Sequence, residues 1–243
     1  MLDCLIRAAI GASLLTSTPA AASNLVTGNG FGFAVVSPDN ATVTRFYAHP
    51  YRFTQPDIHN SLGEGIETAN FIKSLRWDLP LSKHLSAQYV DESQVIKARS
   101  DSGTALFFMP FGFRHATLVF SWEGPSLEAQ KGCFLVEWDR PVSSQRTLSM
   151  LGTQMQVLKF DGMEESLLLI PLDRERKVSP RTRKYLSSHL AWALISVETE
   201  AERQSIAREF LHWRAGLTPK DLAAREIKEV EHWRVKPTFG FVG

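Results

Sequence analysis

The densest group of residues that could do chemistry lies between Phe46 and Asp78. This stretch is rich in aromatic, imidazole and carboxylate side chains, and few apolar residues interrupt it between Tyr51 and Asn70. A long polar loop between two strands is a common place for a binding site on a β-scaffold. Aromatic rings there point to carbohydrate, because the C–H faces of sugars stack on them. The predicted carbohydrate-binding residues are Tyr47, His49, Tyr51, Glu64, Glu67 and Trp77.

Two other chemistries are open to the same loop. His49, His59, Glu64 and Glu67 belong to metal-ligating types, but their spacing matches no metal motif, so we predict no metal and no cofactor. Glycoside hydrolysis needs two carboxylates about 5 to 10 Å apart. Glu64 and Glu67 lie three residues apart in a loop, and the sequence places no second conspicuous acid beside them. Solvated or salt-bridged carboxylates are the favoured interpretation.

Trp77, Trp122 and Trp138 each precede an acidic residue at the end of a predicted strand. Packing in the core or at its rim explains each of them more readily than a sugar-binding platform. Of the three, Trp77 lies within the stretch between Phe46 and Asp78 and is included among the candidate binding residues.

The triplet Phe-Gly-Phe occurs three times, beginning at Phe31, Phe111 and Phe239. The spacing is too uneven for a repeat architecture, and a glycine between aromatics often marks a bulge or close packing. The glycine-rich segment 28–32 precedes a strand and does not join a strand to a helix, which excludes a phosphate-binding loop.

Composition limits the partners. The formal net charge is +1, the hydrophobic fraction is 44% and the charged fraction is 22%, which is typical of a globular protein. The basic residues at 174–184 are interspersed with acids and bounded by prolines, so a solvated loop is favoured over a nucleic-acid patch. We expect no nucleic-acid partner.

The first 22 residues have the order of a secretory signal peptide. Arg7 precedes a short apolar run over 8–15, and the small residues 20–22 follow as a cleavage site. The apolar run is too short to span a bilayer, and no membrane span is expected after its removal. We therefore predict an exported protein, periplasmic or secreted. Its remaining thiol, Cys133, leaves no internal disulfide, so the fold depends on an ordinary core.

The mature chain predicts a mainly β protein. Short apolar or alternating segments separated by turn residues indicate an antiparallel β-sandwich or supersandwich over 24–198. The predicted strands cover 31–36, 42–47, 71–77, 89–98, 104–109, 117–122, 133–138, 155–160, 166–170 and 192–197.

Two α-helices are predicted to follow, over 199–243. Thr199 and Thr218 each precede a carboxylate by three residues, which is the pattern of a capping box. The stripe Ile206, Phe210 and Trp213 gives the first helix one apolar face, which must pack on the sandwich or on a further neighbour. We interpret 199–243 as a helical linker leading into a domain outside this sequence.

The order of these parts resembles a known family. The segments 29–32, 45–50 and 63–68 are similar to the N-terminal β-sandwich of bacterial six-hairpin glycosidases, and 199–233 resembles the linker that follows it. In these glucoamylase-like enzymes a galactose-mutarotase-like supersandwich precedes a helical linker and an α/α toroid that carries the catalytic acids. The resemblance implies a non-catalytic region of a carbohydrate-active hydrolase, with a poly- or oligosaccharide and a toroid or partner helices as its partners.

Two alternatives remain open at this point. The chain could be a stand-alone exported carbohydrate-binding module that uses the loop 47–77. It could also be a structural protein whose helices dock a partner, in which case the apolar stripe of the first helix would be left exposed.

Overall fold

Two antiparallel sheets and two helices make up the described part of the chain. The computed structural model describes residues 23–48, 69–78, 85–124, 133–173, 185–186 and 190–235. In chain order the strands are β1 Leu25–Gly28, β2 Gly32–Val36, β3 Val43–Ala48, β4 Ala69–Asn70, β5 Ile72–Asp78, β6 Ser86–Tyr89, β7 Ile96–Ser100, β8 Gly103–Phe108, β9 Thr117–Glu123, β10 Cys133–Trp138, β11 Val142–Met150, β12 Thr153–Phe160, β13 Ser166–Pro171, β14 Tyr185–Leu186 and β15 Ala191–Val197. The helices are α1 Arg203–Trp213 and α2 Pro219–Val235.

The first sheet has the order β1-β2-β3-β5-β10-β14, with β4 paired to β3. The second has the order β11-β12-β13-β15-β9-β8-β7-β6. One buried cluster takes side chains from both sheets, including Phe46, Leu75 and Phe134 of the first and Phe120 and Leu169 of the second. The predicted mainly β fold with antiparallel sheets followed by two helices is confirmed.

The central strands of the second sheet are buried on both faces. Every residue of β13 and β15 is buried, as a strand covered on both sides requires. Alternate side chains point in opposite directions. Thus Leu169 lies in the cluster between the sheets, whereas Leu168 and Ile170 lie in a second cluster with helix residues. The helices therefore form a third layer on the outer face of this sheet.

The apolar stripe of α1 supplies much of the helix side of this second cluster. Ile206 and Phe210 are buried there, and Trp213 packs against it. From α2, Leu222 and Ala223 join the same cluster. The stripe is thus covered by the sandwich of the same chain.

The two predicted capping boxes differ in the structure. At α2, the Asp221 N–H donates to Thr218 Oγ1 over 3.2 Å and the Thr218 N–H donates to Asp221 Oδ2 over 2.9 Å. At α1 the prediction was wrong. That helix begins at Arg203, its N-cap is Glu202 without a side-chain capping bond, and Thr199 Oγ1 donates to Glu202 Oε2.

The strand predicted over 89–98 is two strands. β6 ends at Tyr89 and β7 begins at Ile96, with the Val90 N–H donating to the Val95 carbonyl across the turn. Asp91 and Glu92 have positive φ of 45° and 57°, so the chain reverses where the sequence pattern had suggested continuity. The long strand β11 was not predicted, because its exposed edge position leaves it largely polar.

Within the described residues, neither helix combines the length and apolar composition needed to cross a bilayer. Residues 1–22 and 49–68 lie outside the described part of the chain, and so do the predicted signal peptide and most of the predicted polar loop.

Candidate functional site

A groove of about 550 Å³ lies where β1, at one edge of the first sheet, meets the turn that joins β6 and β7. Its lining comes from three separate stretches of the chain: β1 with the turn into β2 and the start of β2, the end of β6 with the following turn, and the loop after β8. The lining residues are Val26, Gly28, Gly30, Gly32, Phe33, Tyr89, Glu92, Ser93, Gln94 and Phe111.

Three aromatic rings line this groove. Tyr89 and Phe111 are 40% and 37% exposed, and Phe33 packs against Tyr47 with ring centroids 4.8 Å apart. Large apolar side chains exposed together at a concave surface are typical of a binding site. The groove therefore offers flat apolar faces to a ligand.

Hydrogen bonds fix the polar wall of the groove. The Val26 N–H donates to the Tyr89 hydroxyl over 2.7 Å, and that hydroxyl donates to the Val26 carbonyl over 3.0 Å. The Gly28 N–H donates to Gln94 Oε1 over 2.9 Å. These bonds attach β1 to the β6–β7 turn, where the positive φ of Glu92 marks strained backbone.

Asn29 joins the first two Phe-Gly-Phe segments. Its buried side-chain amide donates to the carbonyls of Pro110, Phe113 and His115, over 3.2, 3.2 and 2.8 Å. Its Oδ1 accepts the Phe31 N–H over 3.2 Å. One amide thus shapes both the turn before β2 and the loop 110–115, which carries Phe111 to the groove.

The second Phe-Gly-Phe segment divides its aromatics between two places. Phe111 lines the groove, whereas Phe113 is buried against the helices, with its ring 5.1 Å from Phe210 and 5.6 Å from Trp213. A Cβ on Gly112 would lie 3.3 Å from Trp213 Nε1. The loop therefore lies close against α1, and the Phe111 side chain faces the groove.

A buried carboxyl lies behind Phe111. Glu226 of α2 is 2% exposed, and its Oε2 accepts the Phe111 N–H over 3.0 Å. Its Oε1 has no hydrogen-bond partner among the described residues. Burial raises the pKa of Glu226 to about 7, and the neighbouring Glu229 acts in the same direction.

Two of the six predicted site residues fall within the described ranges. Tyr47 lies beside the groove through its contact with Phe33. Trp77 is 7% exposed, stacks on Trp122 at 4.7 Å and meets Phe134 edge-on at 4.3 Å. It lies in the core, as the alternative interpretation expected, and offers no free ring face to a sugar. His49, Tyr51, Glu64 and Glu67 lie outside the described residues.

Sequence reasoning missed most of the groove. The repeated Phe-Gly-Phe triplet and the Asn-Gly pair at 29–30 were visible signals for Phe111 and Asn29. Glu226 had a signal too, since it falls three residues after Ala223, which places the two residues on the same face of a helix. Nothing in the sequence indicated that Tyr89 would face β1.

Among the described residues, the lining of the groove contains one carboxylate, Glu92, whereas glycoside hydrolysis uses two. No set of three or more potential metal ligands occurs among the residues that the structure describes.

The fold and groove define an antiparallel β-sandwich with a helical layer and an aromatic cleft at one sheet edge. No protein-family model and no curated protein matches the chain. Among solved structures, the chain is similar to a bacterial glucoamylase determined in complex with acarbose, with a TM-score of 0.49 and 11% sequence identity. The match covers 88% of this chain and 37% of that chain, so this chain spans little more than a third of that glucoamylase.

Proposed function

We propose that this chain is a non-catalytic β-sandwich region of an exported carbohydrate-active hydrolase, and that its groove binds a poly- or oligosaccharide. The observation that carries the proposal is the meeting of three aromatic rings, those of Phe33, Tyr89 and Phe111, with Glu92 and Gln94 in one groove. Sugars have apolar C–H faces and a rim of hydroxyl groups, and this combination of rings and polar side chains matches both.

The lining favours a neutral sugar. Among the described residues, the lining contains no Lys, Arg or His that could pair with an anionic ligand. A volume of about 550 Å³ suits a short stretch of an oligosaccharide.

Catalysis belongs elsewhere in this proposal. The sequence resemblance implies that the acid and base of such a hydrolase lie in an α/α toroid, outside the residues described here. The described groove lining contains a single carboxylate, which agrees with catalytic acids that lie in another domain. The sandwich would hold the sugar chain near the toroid, with the helical region 199–243 between them.

The binding proposal is tested by titrating the purified protein with maltohexaose and with cellohexaose in a calorimeter. We expect saturable binding of one of them, weakened about tenfold by Phe111→Ala and by Phe33→Ala, since each removes one stacking face. Leu151→Ala is the matched control, because Leu151 is an exposed apolar residue on the β11–β12 turn, away from the groove. Binding that none of the groove variants weakens would place the sugar site elsewhere.

The non-catalytic part of the proposal has its own measurement. Incubation of the same protein with either hexaose should leave the reducing-end concentration unchanged. Release of shorter sugars, abolished by Glu92→Gln, would show that the groove itself is catalytic.

Export is also part of the proposal, and it is based on the first 22 residues. The mass of the protein recovered from the periplasm or the culture medium should correspond to a chain that begins at Ser23. An intact chain retained in the cytoplasm would contradict it.

A further inference from the structure

We propose that Glu226 is a positioning residue for the groove. From α2, its carboxyl group accepts the backbone N–H of Phe111 and so holds Phe111 in place. This inference deepens the proposed function, because it assigns to the helical layer a part in ligand binding. It concerns a residue that touches no ligand and acts through Phe111.

The burial of Glu226 argues against a purely stabilising role. Its side chain is 2% exposed and one of its two carboxyl oxygens has no partner among the described residues. A buried polar group without a full set of hydrogen bonds destabilises the folded state. Leu222 and Ala223 lie on the same face of α2 and pack against apolar side chains, as the rest of the helical layer does.

The contact that Glu226 makes is directed at the groove. Its Oε2 lies 3.0 Å from the nitrogen of Phe111, and the Phe111 side chain lines the groove. Burial of the carboxyl raises the pKa of Glu226 to about 7, although the hydrogen bond from the Phe111 N–H acts in the opposite direction.

The rest of the loop is fixed by other groups. Asn29 binds the carbonyls of Pro110, Phe113 and His115, and the Phe113 ring is buried against Phe210. These contacts hold the two ends of the segment. Glu226 holds the residue between them, so its loss should release Phe111 without unfolding the loop.

Amide hydrogen exchange at Phe111, followed by NMR, tests the positioning directly and without a ligand. We expect Glu226→Ala to speed exchange at this amide at least tenfold, because the acceptor is removed. Glu226→Gln keeps an acceptor oxygen and should restore protection. The Met109 amide, which donates to Thr27 Oγ1 over 3.0 Å, should keep its protection in both variants and reports that the loop is still folded. Glu231→Ala changes an exposed acid of the same helix and is the matched control.

Titration with maltohexaose and cellohexaose completes the experiment. For the hexaose that the wild-type protein binds, we expect Glu226→Ala to weaken the affinity about fivefold to tenfold. Glu226→Gln should bind it nearly as the wild type does. Unchanged exchange at Phe111 in Glu226→Ala would overturn the positioning role. Faster exchange with unchanged affinity would overturn its link to binding. If the wild-type protein binds neither hexaose, the proposed function fails, and the exchange measurement still decides the role of Glu226.

Discussion

Gly32 shows how a single residue can make a close approach possible. It begins β2 beside β3 and the segment that leads into β9, and a Cβ at this position would overlap the Tyr47 carbonyl oxygen and lie 2.7 Å from the Ala116 Cβ. Backbone cannot move aside as the end of a flexible side chain can. Close packing therefore requires the glycine of the first Phe-Gly-Phe triplet, as the sequence suggested.

We expect Gly32→Ala to lower the free energy of unfolding by about 3 kcal/mol. Gly152→Ala is the control, because Gly152 has a φ of 76° but no atom within 4 Å of the added Cβ, so backbone strain alone should cost about 1 kcal/mol. Urea denaturation of both variants measures the difference. Equal losses would show that the close approach at Gly32 relaxes.

Glu226 makes the stability of the protein depend on pH. Its pKa is raised from 4.5 to about 7 in the folded protein, so folding favours the neutral carboxyl. The stabilisation that this gives is complete below pH 4.5, the unfolded value, and is lost as the pH rises through 7. Glu226→Gln should therefore remove a decline of about 2 kcal/mol in the free energy of unfolding between pH 5 and pH 8. Denaturation at the two pH values measures this decline. Glu231→Gln is the control and should keep the decline. A decline that persists in Glu226→Gln would show that other groups cause it.

At the scale of elements, two identical sequence patterns give different helix starts. The pattern Thr-x-x-acid is a reciprocal capping box at Thr218 but not at Thr199. The chain after β15 turns first, and Glu200 there binds Lys159 and Arg203, contacts that lower the pKa of its carboxyl. α1 consequently begins at Arg203, four residues after Thr199.

The pair supplies a matched prediction. Thr218→Ala should destabilise the protein by about 1 kcal/mol, because it leaves the Asp221 N–H without its acceptor. Thr199→Ala removes only an exposed hydroxyl bonded to a side chain and should change stability by less than about 0.5 kcal/mol. Thermal unfolding of the two variants separates them, and a larger effect at Thr199 would contradict the observed helix start.

The strands also differ in how readily a sequence pattern identifies them. β13 and β15 read as continuous apolar runs because both faces are covered. β11 lies at a sheet edge and is mostly polar, so no local pattern identified it. The segment 89–98 was joined into one strand because its turn contains no glycine or proline, the usual marks of a reversal.

At the scale of the whole molecule, the helical layer completes the core. Phe210 is fully buried and contacts Phe113 and Trp213, so it connects α1 to the loop that carries Phe111. The second sheet would otherwise expose the apolar side chains of β9, β13 and β15 on its outer face. The helices are thus part of the folding unit of the described residues.

Phe210→Ala should lower the free energy of unfolding by about 3 to 5 kcal/mol, from lost burial and the cavity it leaves. His212→Ala, an exposed residue of the same helix, is the control and should change it by less than about 0.5 kcal/mol. Chemical denaturation of both gives the comparison. A loss below about 1 kcal/mol for Phe210→Ala would mean that α1 is not part of the cooperative core.

The sequence alone determined the mainly β class, most of the inner strands and the capped start of α2, because these follow from local patterns of burial and backbone hydrogen bonding. It also marked the Phe-Gly-Phe triplets as unusual, without showing what they do. Only the tertiary structure decided that the helices cover the second sheet and that a groove exists. The reason is physical: Tyr89 and Phe111 line the groove, and Asn29 and Glu226 hold the loop that carries Phe111. These residues are far apart along the chain and meet only through long-range packing and hydrogen bonds.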